Sequence, residues 1–82
     1  MPEVSLFYGI KIMMFFNEYE RPHIHAKYAE HIAQISLSDL SVMSGELPKN
    51  AYRLIREWIS QHQDELLEMY NTKNIHSIKP LE

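Results

Sequence analysis

The chain has 82 residues, of which 45% are hydrophobic, and a formal charge of −3 at pH 7. That is enough for one small domain with one core and too little for two. The charge argues against a protein that holds nucleic acid by general electrostatics, because phosphate neutralisation needs a surplus of Lys and Arg, although a local basic patch stays open. With no cysteine among its residues, the chain has no disulfide framework, thiolate zinc site or cysteine nucleophile, and its five histidines are the remaining soft ligands.

The opening stretch "MPEVSLFYG" has neither the basic start nor the long apolar run of a secretory signal. No segment approaches the roughly 18 apolar residues of a membrane span. A soluble, cytoplasmic protein is expected. In so small a domain the fraction of surface buried on folding is low, so pairing with a second copy or with a partner would add stability.

Taken in chain order, "SLFYGIKIMMFF" (Ser5 to Phe16) is rich in β-branched, aromatic and methionine residues, and Gly9 divides it into two strands. In the second, Ile10, Ile12, Met14 and Phe16 share one face, while Met13 and Phe15 make the other face partly apolar, which predicts a strand covered on both sides for part of its length. The polar "NEYERP" is a turn, and Pro22 biases Arg21 towards extended backbone. His23 to Tyr28 then alternates, with Ile24, Ala26 and Tyr28 on one side and His23, His25 and Lys27 on the other. His31 to Leu37 places Ala33, Ile35 and Leu37 together. A two-residue loop at Ala29-Glu30 would pair Tyr28 with His31, Ala26 with Ala33 and Ile24 with Ile35, leaving the histidines beside Gln34 and Ser36. Ala-Glu is a poor choice for such a loop, and a looser connection would shift the register.

From Leu47 to Asn71 the period changes to that of a helix. Ala51, Leu54, Ile55, Trp58, Ile59, His62, Leu66, Met69 and Tyr70 recur at spacings of three and four. Pro48 suits the first helical position, and Ser44 with Gly45 marks the turn before it. The tail "SIKPLE" would add an edge strand or remain loose. The expected fold is α+β, an antiparallel sheet of three to four strands packed against one long C-terminal amphipathic helix, forming a single domain over residues 1–82.

The stretch "ERPHIHAK" carries the candidate chemistry. Residues two apart on a strand lie about 6.6 to 6.8 Å apart on one face, so Arg21, His23, His25 and Lys27 would form one stripe if the strand extends back to Arg21. Imidazoles titrate near neutral pH and the cations could stabilise developing charge, an arrangement suited to RNA cleavage. The same His23 and His25 could hold a divalent metal if a third ligand joined them, with Glu18 and Glu20 nearest in sequence. The competing reading is an exposed polar strand face that contains imidazoles. His62 is expected to be a mostly buried imidazole bonded to backbone or to Tyr70 rather than a ligand, and Trp58 to be core rather than a platform for bases. The outer helix face, with Arg53, Arg56, Glu57, Asp64, Glu65 and Glu68, reads as a solvated surface of mixed sign. The two glycines, Gly9 and Gly45, allow no Gly-rich phosphate loop.

The chain resembles the domain-of-unknown-function family 4160 (DUF4160) of small bacterial proteins. The likeness rests on the aromatic-x-Gly-Ile at Phe7 to Ile10, on Pro-His-x-His at Pro22 to His25, and on a helix with Leu54, Glu57 and Trp58 followed by His62, Glu65 and Leu66. With Glu18 at the acidic place, it departs from the family pattern at Tyr19 and Arg21, where relatives have a His and a further proline, and at Ala29-Glu30, where they have a Gly-containing turn. The resemblance implies a gene pair of toxin–antitoxin type. Its protein partner would be a member of domain-of-unknown-function family 2442 (DUF2442). Non-enzymatic binding as a homo- or hetero-oligomer, and metal binding through His23 and His25, are the alternatives to RNA-directed activity at the His-x-His strand.

Overall fold

The computed structural model describes residues 3–16 and 19–81. Five strands precede one helix: β1 (Glu3–Phe7), β2 (Ile10–Met13), β3 (His23–Tyr28), β4 (His31–Ser36), β5 (Val42–Gly45) and α1 (Lys49–Thr72). The strands form one antiparallel meander in the order β1-β2-β3-β4-β5. The α+β class is as expected, but the sheet has five strands rather than three to four. The additional edge strand is β5, which contains the Ser44 and Gly45 read above as a turn. Gly45 has φ +80, and a Cβ there would collide with the Ile32 carbonyl oxygen. Glycine at this position permits close strand approach.

The loops set the registers. Tyr8 (φ 50) and Gly9 (φ 78) both take positive φ, the signature of a tight type I′ hairpin between β1 and β2. Between β3 and β4 the two-residue connection forms despite its sequence, because Ala29 accepts a φ of 53. The register is the expected one, Tyr28 with His31, Ala26 with Ala33 and Ile24 with Ile35.

One face of the sheet packs against α1. Val4, Phe7, Ile10, Ile12, Met14, Ile24 and Ile35 meet Ala51, Ile55, Trp58, Ile59, Leu66 and Met69 in a single core. Burial of each large side chain contributes about 1.5–3 kcal/mol. Helix α1 begins one residue after Pro48, which serves as N-cap rather than first helical residue and offers no side-chain cap. It ends at Thr72, where Lys73 turns left-handed (φ 59) and donates its N–H to the Met69 carbonyl. The helix bends at His62, whose φ and ψ of −128 and 17 are not helical. The next residue, Gln63, donates from Nε2 to the carbonyls of Leu37 (2.6 Å) and Ser38 (3.1 Å) in the turn after β4.

The tail takes neither of its expected forms. Ile78 and Leu81 are buried in the core. The Ile78 N–H donates to the Val4 carbonyl at 2.9 Å, and Trp58 Nε1 donates to the Lys79 carbonyl at 2.9 Å. A segment without regular structure is thereby fixed to the outer edge of β1. Among the described residues no helix is long and apolar enough to cross a membrane.

Candidate functional site

The sheet face turned away from α1 is organised by cross-strand rows. Leu6 pairs with Lys11, Lys11 with Lys27 and Lys27 with Ile32, forming one row. Met13 pairs with His25, His25 with Gln34 and Gln34 with Ser44, forming the next. His23, opposite Ser36, begins β3.

His23 is 2% exposed. Its Nδ1 lies 2.9 Å from the Arg21 carbonyl oxygen, and because a carbonyl only accepts, Nδ1 carries the hydrogen. The other ring nitrogen, Nε2, faces Glu20 Oε2 at 3.4 Å. The His25 ring lies 5.2 Å from that of His23 and 4.8 Å from Phe15, which meets it edge-on. His25 Nδ1 is buried and has no hydrogen-bond partner among the described residues. Burial pushes the His25 imidazole below its ordinary 6.5, the nearby His23 adds to that effect, and Glu20 opposes it. Phe15, Phe16, Glu20, His23, His25 and Gln34 together line an open cleft of about 340 Å³. Tyr70, from α1, lies against both Phe16 and His23, with ring centroids 5.5 and 6.1 Å away.

The stripe expected from the sequence forms along β3 from His23 to Lys27 but does not reach Arg21. Strand β3 starts at His23, so Arg21 lies outside it, and its Nη1 is directed to Asp39 Oδ2 at 3.9 Å. Arg21 serves the site through its backbone carbonyl. Lys27 shares the face of His25 but belongs to the neighbouring row, beside Lys11 and Ile32. The histidine face is also not simply exposed, since His23 is buried. Strand alternation tells which side of a sheet a residue is on, but not whether a distant segment covers that side. Here Phe15, Phe16 and Tyr70 supply the cover.

His62 also differs from expectation. It is half-buried against Trp58, at 5.4 Å between rings, and its Nδ1 faces Glu65 Oε1 at 3.6 Å rather than backbone or Tyr70. Trp58 itself is fully buried, as expected of core. Beside the cleft, Asp39 Oδ1 accepts hydrogen bonds from the Ser41 hydroxyl (2.8 Å) and N–H (3.1 Å). Those bonds hold the Asp39 carboxyl below its usual range.

The arrangement joins a histidine whose Nδ1 is held as a donor to one favoured in its neutral form, inside a cup with an apolar wall. A neutral imidazole with a free nitrogen can accept a hydrogen bond or a proton. The lining residues include no Lys or Arg, so a phosphate would have to recruit Lys27 from outside the cleft. Among the described residues no group of three or more His, Cys, Asp or Glu side chains is placed to hold a metal ion. Glu18, one of the two carboxylates considered as a third ligand, lies outside the described residues. Sequence reasoning missed Phe15, Phe16 and Tyr70 as parts of the site. The apolar Met13 and Phe15 on the side of the strand away from Ile10 and Ile12 were the available signal.

A family model described as a domain of unknown function (DUF4160) matches residues 9–71. Comparison with curated proteins and with solved structures gives no match.

Proposed function

The chain belongs to the DUF4160 family, a domain of unknown function; from the family resemblance we propose a small bacterial protein of a toxin–antitoxin-like gene pair, and from the geometry of its own sheet a protein partner docked over the face opposite α1. One observation carries this reading. That face leaves Leu6 and Ile32 54% and 55% exposed, and it opens into a cleft where the buried His25 Nδ1 has no hydrogen-bond partner among the described residues. Exposed Leu6 and Ile32 at the two ends of a row that also holds Lys11 and Lys27 suit a partner that covers the row with both apolar and polar contacts. A DUF2442-type protein is the proposed partner.

RNA-directed activity is the second reading. It is favoured by the lowered pKa of His25, which keeps a free base available at neutral pH, with Lys27 two residues along the same face.

The test is induction of the chain in a bacterial host, alone and with a DUF2442-type protein from the same genome, followed by affinity capture of the complex. Growth arrest by the chain alone, relief on co-expression and a captured complex are expected. Ile32→Asp should weaken that complex about tenfold, the effect of placing a charge in an apolar contact. Unimpeded growth together with no complex would overturn the reading. Total RNA cleaved by the parent but not by a folded His25→Ala variant would shift the assignment to the second reading.

A further inference from the structure

Helix α1 carries its charges against its own dipole. Lys49, Arg53 and Arg56 lie in its first half, whereas Asp64, Glu65 and Glu68 lie in its second. The first turn has no acidic residue and the last has no basic one. Partial positive charge at a helix N-terminus disfavours cations there, so this distribution does not serve the helix. It concentrates three of the chain's eight Lys and Arg residues beside one groove.

That groove, of about 630 Å³, runs between the first half of α1 and Leu40 in the turn after β4. Leu40 and Tyr52 provide its apolar surface, and the Tyr52 hydroxyl donates to the Leu40 carbonyl at 2.6 Å, which fixes the two together. The Arg56 guanidinium sits 5.6 Å over the Tyr52 ring. One carboxylate, Glu57, shares the lining.

We propose that this groove docks an acidic amphipathic segment of a protein partner, with apolar side chains against Leu40 and Tyr52 and carboxylates paired to Lys49, Arg53 and Arg56. Charge complementarity selects the occupant. An RNA strand fits less well, because Tyr52 is the one aromatic side chain in the lining and Arg56 occupies one of its ring faces, so successive bases have no series of rings to stack on. The net charge of −3 also opposes a polyanion with no apolar component. The groove is separate from the histidine cleft, so the inference does not rest on that site.

The probe is a fluorescein-labelled synthetic helical peptide of alternating Glu and Leu faces, titrated with the full chain and followed by anisotropy. A single-stranded oligouridylate of similar length serves as the competing ligand. Binding of the peptide that weakens with added salt is expected, with a loss of about tenfold or more in Arg53→Glu/Arg56→Glu. The His25→Ala variant should bind the peptide as the parent does. Arg53 and Arg56 are exposed on the outer helix face, so folding of the double variant should be retained, which circular dichroism checks. No peptide binding, unchanged binding by the folded double variant, or binding of the oligouridylate alone would each overturn the proposal.

Discussion

At the scale of single residues, His25 is the imidazole that burial holds below its ordinary pKa. Burial disfavours its charged form, so its pKa in the folded chain lies below the 6.5 of the unfolded one, with His23 acting in the same direction and Glu20 in the other. Between those two values the unfolded chain binds more protons than the folded one, so stability rises with pH. The contribution is complete above the unfolded value and is lost as pH falls from 6.5 towards the lower folded value. Urea unfolding followed by the fluorescence of Trp58, the chain's one tryptophan, should therefore show a loss of stability from about pH 7.5 to about pH 5.5. A His25→Gln variant should lose less over the same range. Equal slopes would mean that His25 does not account for the dependence.

At the scale of elements, two backbone positions should respond in opposite directions. Ala29 holds a left-handed φ of 53 in the loop between β3 and β4. Ala29→Gly removes the Cβ strain and should stabilise the chain by about 0.5–1 kcal/mol, after the greater freedom of glycine in the unfolded state is counted. Gly45, in contrast, has no room for a Cβ beside the Ile32 carbonyl. Gly45→Ala should cost about 2 kcal/mol or more, by displacing β5 or distorting it. The midpoint of urea unfolding measures both. These positions also show where the sequence was readable. The register between β3 and β4 followed from alternation because any slip would have turned Ile24 and Ile35 to the other face, and that penalty outweighed an unfavourable loop residue. Strand β5 was not legible because four residues ending in glycine carry too little periodicity, and the steric reason for Gly45 lies in another strand. The site was legible as the pair His23 and His25 with Gln34 and Glu20 near them. Its aromatic cover and the diversion of Arg21 to Asp39 depend on chain crossings that spacing does not encode.

At the scale of the whole molecule, the tail is structural. Ile78 and Leu81 are buried, and removing residues 75–82 would also strip Trp58 Nε1 of its Lys79 acceptor. Lost burial of the two side chains and an unpaired indole N–H together should cost about 3 kcal/mol or more. Against the 5–15 kcal/mol typical of whole proteins, that loss would leave a small domain near unfolding at 37 °C. Circular dichroism melts of the truncated chain and of a milder Ile78→Ala variant test this, with the single substitution falling between parent and truncation.

The same tail makes the two borders of the sheet unequal. The outer border of β1 is engaged by the Ile78 N–H, whereas β5 ends the sheet on its other side. An assembly that grows by strand addition needs a free border at each end of every subunit. With one border closed, joining of two β5 strands would use up the remaining free border of each subunit and stop at a pair. The anchored tail is in this sense a terminator: it occupies the β1 border at Val4 and opposes strand addition there.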